Sequence, residues 1–248
     1  MIKVIAFDLD DTLWNNRPVL INAEKQLNYW LQAEVPHLKY NVVEMRSLRN
    51  KVLEHEPDLT NRITELRRKI IEHAIQLSGI EQSTATDLSH RAMKVFIIAR
   101  NKIEFYEGAM EAIEQLADRF LLGALTNGNA DIRLLGLDKH FSFAFSAEEV
   151  GAPKPAHDLF HKALAHTETQ PHQMVYVGDD PVLDIDSANA AGLHTVWVKN
   201  PDKDKVGKTS ADEHIDQIRH LPEAIDRLLE KISEDSPCHD GHGQESAG

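Results

Sequence analysis

The sequence predicts an α/β fold: a doubly wound, mostly parallel sheet with a helical unit inserted after its first strand. Three observations carry that expectation. Five short apolar segments are each followed by a polar or Gly-containing loop, helix-compatible stretches separate them, and acidic residues gather directly behind the first and the fourth.

The first strand is expected over Ile2–Phe7, whose residues are nearly all apolar and β-prone, as in a strand buried on both faces. Leu121–Leu125, Phe141–Phe145, Met174–Val177 and His194–Val198 repeat that character. Together they describe a Rossmann-like sheet, which binds ligands outside the C-terminal ends of its strands. Between Leu13 and about Tyr106 there is only helical periodicity, as in Ile63, Leu66, Ile70, Ala74 and Leu77, with Gly79 placed as a C-cap. Asn41 with Glu44, and Thr84 with Asp87, are expected capping pairs that open two further helices. Residues 14–106 are therefore assigned to a helical cap over the edge of the sheet, and residues 1–13 and 107–233 to the α/β core. The stretch 234–248, EDSPCHDGHGQESAG, has no large aliphatic residue and is expected to be a disordered tail.

With 248 residues, 42% of them apolar and 27% charged, the composition is that of an ordinary globular protein. The formal charge of −13 argues against nucleic acid and anionic membranes as partners. It does not exclude a small anionic substrate, because a divalent cation and one Lys can reverse the sign of a pocket locally. The single cysteine, Cys238, excludes an intrachain disulfide and a CxxC metal site, which suits a reducing cytoplasm. Asp8 ends the N-terminal apolar run too early for a signal-peptide core or a membrane span, and no other segment approaches about 18 apolar residues.

Asp8-Leu9-Asp10-Asp11-Thr12 follows the first strand, and alternation points Asp8 and Asp10 to the same side. Two such carboxylates repel each other, and a divalent metal removes the penalty; an acidic helix N-cap is the plain alternative. Gly178-Asp179-Asp180-Pro181-Val182-Leu183-Asp184 follows the fourth strand, with an amphipathic helix expected from Asp184 to Ala191-Gly192. Carboxylates converging from two strand ends suit Mg²⁺, which keeps several waters and takes one or two carboxylates plus a substrate phosphate. Thr126-Asn127-Gly128, after the second strand, offers a hydroxyl and backbone amides to a phosphate. Lys154, between Pro153 and Pro155, is stiffened so that its ammonium can be held over an anionic centre.

These four segments, in this order from Ile2 to about Val198, resemble the haloacid dehalogenase superfamily: DxDxT, then a Thr, then a Lys, then GDD with a further Asp. The resemblance implies that Asp8 is a nucleophile forming an aspartyl-phosphate and that Asp10 is the general acid and then base. It implies Mg²⁺ held by the Asp8 carboxylate, the Asp10 backbone carbonyl and Asp179, with Asp180 and Asp184 supporting that shell or orienting Lys154. Thr126 and Lys154 would hold the phosphoryl oxygens, with Asn127 beside them. The helical insertion resembles the small cap type, which admits small phosphorylated metabolites. FDLDDTLWNNRPV, LTNGNA and VGDDPVLDIDSANAAG are similar to the bacterial branch acting on the ribitylaminopyrimidine phosphate of riboflavin synthesis and on flavin mononucleotide. Trp14 is expected to stack on a flat substrate and Arg17 to meet a polar group, against the plainer alternative that both serve cap packing.

Competing readings are weaker. Gly207-Lys208-Thr209-Ser210 ends like a P-loop, but Asp202 stands where a Walker A motif needs Gly. No GxSxG exists, and His157 with His161 reads as a surface face before a zinc pair. Asp10 is what a phosphatase or phosphomutase requires, whereas the carbon–halogen cleaving members lack that acid. A non-catalytic binding protein on this fold would be expected to lose Asp8 or Asp10, and both are present.

Overall fold

The computed structural model describes residues 1–38, 42–199 and 207–234 of the chain. Its sheet has strands β1 (Val4–Phe7), β2 (Leu121–Thr126), β3 (Phe141–Ser146), β4 (Met174–Gly178), β5 (His194–Val198) and β6 (Glu213–Ile215). Their spatial order is β3-β2-β1-β4-β5-β6, and every pairing is parallel. The four residues of β1 and all five of β4 are buried, as near-continuous apolar runs at the centre of a two-sided sheet must be. The chain leaves β1 for β2 and β3, then returns to the other side of β1 for β4 to β6. That reversal opens a crevice beyond the C-terminal ends of β1 and β4, where an open α/β sheet takes its ligand.

All five expected strands are present. β1 starts at Val4, although Ile2 is still buried in the core. β6 was not expected: it is three residues long, and Glu213 and His214 interrupt any apolar run. Glu213 is nevertheless buried, neutralised by Arg227 at 2.9 Å and by Lys231.

Helices α1 (Asn16–Glu34), α2 (Val42–His55), α3 (Ile63–Leu77) and α4 (Gln82–Arg100) follow β1, with no strand between them among the described residues. Ala23, Leu27 and Leu31 of α1, Leu66, Ile70 and Ala74 of α3, and Ala85, Ala92 and Phe96 of α4 form an apolar cluster that includes no residue of the sheet. Ile63 and Leu77, the ends of the expected stripe, are exposed. Gly79 follows the α3 C-cap Ser78 with φ +85°, the left-handed conformation that ends a helix. Thr84 and Asp87 do not open α4: the extended Glu81 is its N-cap, so Thr84 already lies within the helix. Asn41 lies outside the described residues.

The sheet is covered by α5 (Ala109–Ala117), α6 (Ala147–Val150), α7 (Asp158–Thr167), α8 (Ser187–Ala190) and α9 (Leu221–Glu234). Ile113 and Leu116 of α5 and Ile225 and Leu228 of α9 pack in one cluster with β1, and Leu159, Phe160 and Ala163 of α7 in a second with β4. Trp14 and Val19 belong to the first of these, so the sheet's own packing reaches past Leu13 into the first turn of α1. Glu234 is the last helical residue of α9 and not the start of a tail; residues 235–248 lie outside the described residues.

Candidate active site

β1 runs directly into Asp8, whose backbone N–H still bonds the Val177 carbonyl of β4 at 2.8 Å and so stays in register with Gly178 and Asp179. Asp11 turns the loop with φ 64°, a left-handed conformation that Asp tolerates better than most residues, and its carboxylate accepts the Asn16 N–H at 2.8 Å. Asp8 Oδ1 accepts from Lys154 Nζ at 2.7 Å. The Thr12 hydroxyl lies 3.3 Å from both Asp8 Oδ2 and Asp179 Oδ1, so its one proton ties the two strand ends together.

Lys154 is buried at 3% exposure, and its ammonium reaches Asp184 Oδ1 at 2.7 Å and the Tyr176 hydroxyl at 2.5 Å as well as Asp8. Its loop is clamped by Asn127, which donates to the Lys154 carbonyl at 3.0 Å and accepts its N–H at 2.8 Å. Asn127 therefore positions Lys154 with its side chain, leaving its main chain for any phosphate. Thr126 is buried and its Oγ1 accepts the Gly128 N–H at 2.9 Å, which shapes the turn after β2.

Asp184 comes from a π-helical turn, Pro181–Asp186, that Asp180 caps by accepting the Val182 and Leu183 N–H groups at 3.0 Å. The turn starts three residues before the expected helix, because an Asp cap followed by Pro initiates it there. Asp184 Oδ2 accepts the Asp180 N–H at 2.9 Å. A Cβ at position 178 would fall 2.5 Å from the Asp184 Cγ, so only glycine lets this carboxylate fold back under β4.

Carboxylate oxygens of Asp8, Asp179 and Asp184 lie within 4.8 Å of one another, the only metal-capable cluster among the described residues. His157 and His161 are not part of it. Burial, opposed by Lys154 and reinforced by Asp184 and Asp179, pushes the Asp8 carboxyl up to about 8. Burial works against the Lys154 ammonium, but Asp184 and Asp8 outweigh it and hold its pKa above the usual lysine value. Three buried carboxylates against one ammonium leave negative charge in excess, and an all-oxygen donor set of this kind fits a hard divalent cation such as Mg²⁺.

Asp10 lines the same cleft, where Arg100 Nη2 reaches its two oxygens at 2.6 and 2.5 Å. Burial raises the Asp10 pKa and Arg100 draws it back. The cleft has a volume of about 430 Å³, with the acidic cluster, Thr126 and Lys154 on the sheet side and Arg67, Phe96 and Arg100 on the helical side. The Arg67 guanidinium lies over the Phe96 ring at 4.1 Å and pairs with Glu24.

Two expected contacts are absent. Trp14 is fully buried, packing edge-on against Phe105 at 6.0 Å, and has no surface on which a substrate could stack. Arg17 is exposed at the start of α1, where its N–H bonds the Asn15 side chain, and it does not line the cavity. Trp14→Ala is accordingly expected to cost about 3–5 kcal/mol of stability, read as a lowered denaturant midpoint. A midpoint unchanged from wild type would contradict this packing role.

Sequence reasoning also passed over Tyr176 and Arg100. Tyr176 carried a signal: a phenol inside an aliphatic strand must find a polar partner when buried, and here it bonds Lys154 and the Leu125 carbonyl. Arg100 carried none, being one cation among several on amphipathic helices.

A family model described as haloacid dehalogenase-like hydrolase matches residues 2–192. The chain is 32% identical to the 5-amino-6-(5-phospho-D-ribitylamino)uracil phosphatase YigB of Escherichia coli (strain K12), covering 80% of this chain and 84% of that protein. It is 25% identical to the glyceraldehyde 3-phosphate phosphatase of Methanopyrus kandleri over 92% of this chain and 99% of that one. Among solved structures, one described as a 2-haloacid dehalogenase from Pseudomonas syringae pv. Tomato DC3000 superposes with a TM-score of 0.87 at 36% identity, covering 92% of this chain and 99% of that chain. With a buried Asp8 at a sheet switch point, Lys154 against it and a model match over most of its length, this chain belongs to the haloacid dehalogenase-like hydrolase family.

Proposed function

We propose that the protein is a Mg²⁺-dependent phosphatase that hydrolyses a small phosphorylated metabolite through an aspartyl-phosphate on Asp8. The observation that carries this reading is the second carboxyl: Asp10 faces the same cavity as Asp8 and Lys154 without sharing their ion cluster. Phosphoryl transfer to a carboxylate needs charge neutralisation on the phosphoryl oxygens and a proton for the departing alkoxide. Asp8 and Asp10 supply the nucleophile and the acid, and Lys154 with the Thr126–Gly128 turn surrounds the oxygens.

In this reading an Asp8 oxygen bonds phosphorus as the ester P–O bond breaks, and Asp10 gives its proton to the leaving oxygen. Water then attacks the aspartyl-phosphate, Asp10 takes up its proton, and inorganic phosphate leaves as the P–O bond to Asp8 breaks. Mg²⁺, held by Asp8, Asp179 and the Asp10 carbonyl, would supply charge neutralisation. Asp180 and Asp184 hold the turn and Lys154 in place. Residues 14–106 act as the cap, limiting entry to small esters, and the cytosol is the compartment that suits this chemistry. The likeness to YigB makes flavin-pathway phosphates the leading substrates.

A second reading, cleavage of a carbon–halogen bond, is favoured by the likeness to a structure described as a haloacid dehalogenase. A departing halide needs no proton, and Asp10 would have no task. One experiment separates them: phosphate release from a panel of phosphomonoesters in Mg²⁺ and in EDTA, alongside halide release from 2-chloropropionate. Mg²⁺-dependent phosphate release without halide is expected. Halide release without phosphate release would overturn the phosphatase reading.

A further inference from the structure

Arg100 is the last residue of α4, the final cap helix, yet its side chain is 1% exposed and reaches into the catalytic cleft. One nitrogen, Nη2, contacts both oxygens of Asp10. The next residue ties the helix end to the core, since Asn101 Oδ1 accepts the Asp131 N–H at 2.8 Å. Gly128 closes the arrangement: a Cβ there would fall 2.5 Å from Asp10 Oδ2, 3.2 Å from Thr126 Oγ1 and 3.4 Å from Arg100 Nη2. Carboxyl, guanidinium and phosphate-binding turn thus meet at one point.

The remaining donors of Arg100, Nε and Nη1, are buried and have no hydrogen-bond partner among the described residues. An arginine kept only to fasten two units together would have its fork satisfied, and buried unpaired donors are rare in folded proteins. Shape and bonding both place the working end of this residue on Asp10.

We propose that Arg100 is a positioning residue for Asp10: the cap helix fixes the proton-transferring carboxyl over the phosphate turn through this guanidinium. The proposal rests on the phosphatase reading above. It ties the acid–base step to the docking of α4, so that the helical unit contributes to the chemistry as well as to access. A fastening role alone would make no distinction between leaving groups. Positioning of an acid matters for a poor leaving group such as an alkoxide and little for a good one such as p-nitrophenolate.

The test compares Arg100→Ala, Arg100→Lys and wild type on propyl phosphate and on p-nitrophenyl phosphate. Arg100→Ala is expected to lower kcat/KM, which reports the leaving-group step and not the later hydrolysis of the aspartyl-phosphate, by about 100-fold for propyl phosphate and by less than about 3-fold for p-nitrophenyl phosphate. Arg100→Lys should restore part of the loss on propyl phosphate. In an Asp10→Asn background, Arg100→Ala should produce no further loss, because a residue acting through Asp10 has nothing left to act on. Equal losses in kcat/KM on both esters, or an additive loss in the Asp10→Asn background, would overturn the proposal. If Arg100→Ala does not fold, Arg100→Lys and the double variant with lysine carry the same comparison. Absence of metal-dependent phosphate release by the wild-type protein from either ester would sink the phosphatase reading itself, a different outcome from either of these.

Discussion

Asp8→Asn is expected to abolish turnover while making the metal-free protein more resistant to heat. The substitution keeps the shape of the side chain and an oxygen for Lys154 Nζ, which lies 2.7 Å from Asp8 Oδ1. What it removes is the carboxylate proposed as nucleophile, and loss of a covalent nucleophile is expected to cost at least about 10⁴-fold in kcat. It also removes a charge from a position where burial, Asp184 and Asp179 all disfavour ionisation. The unfolding midpoint at pH 8 without metal should therefore rise above that of wild type, an exchange of stability for activity common at functional sites. Retained turnover would exclude Asp8 as nucleophile, and a fall in the midpoint would contradict the strain assigned to its charge.

Mg²⁺ is expected to stabilise the wild-type protein more strongly as pH rises. With its carboxyl pushed up to about 8 from an ordinary value of 3.8, the folded state holds a proton on Asp8 that the unfolded chain has released. The stability conferred by that proton is complete below about pH 4 and is lost progressively as pH climbs towards 8. A cation that binds the deprotonated carboxylate recovers this loss, and its binding releases the proton. At 100-fold excess over its Kd, the ion would add about 2.7 kcal/mol, or roughly 5–10 °C in Tm for a chain of this size. Thermal scans at pH 5 and pH 8, with Mg²⁺ and with EDTA, read the difference directly. A metal-induced gain independent of pH would show that Asp8 is not among the ligands.

Much of the site was legible because strand ends carry it. Asp8, Thr126, Lys154 and Asp179 each follow a short apolar run or sit in a proline-stiffened loop, and the parallel sheet brings those places together without further information. Long-range partners were not legible. Arg100 is far from Asp10 in sequence, and only the packing of α1 and α4 brings it back over the cleft. Trp14 shows the opposite error: its place beside the catalytic loop suggested contact with substrate, but a large apolar ring next to a central strand lowers the free energy most by joining the core. β6 escaped notice because its Glu213 is compensated by partners on α9, which no local pattern records.

The insertion of the helical unit directly after β1 has a consequence for the order of events during synthesis. β1 is the central strand, yet its neighbours are formed by residues 121–124 and 174–177, which leave the ribosome long after residues 4–7. Meanwhile α1 to α4 can assemble around their own apolar cluster from contacts close in sequence. The nascent chain is therefore expected to carry a folded helical bundle tethered to a bare hydrophobic strand, awaiting edges on both sides. Such an exposed segment is a target for holding chaperones, and the interval of risk is set by the length of the insertion and not by the stability of the finished sheet.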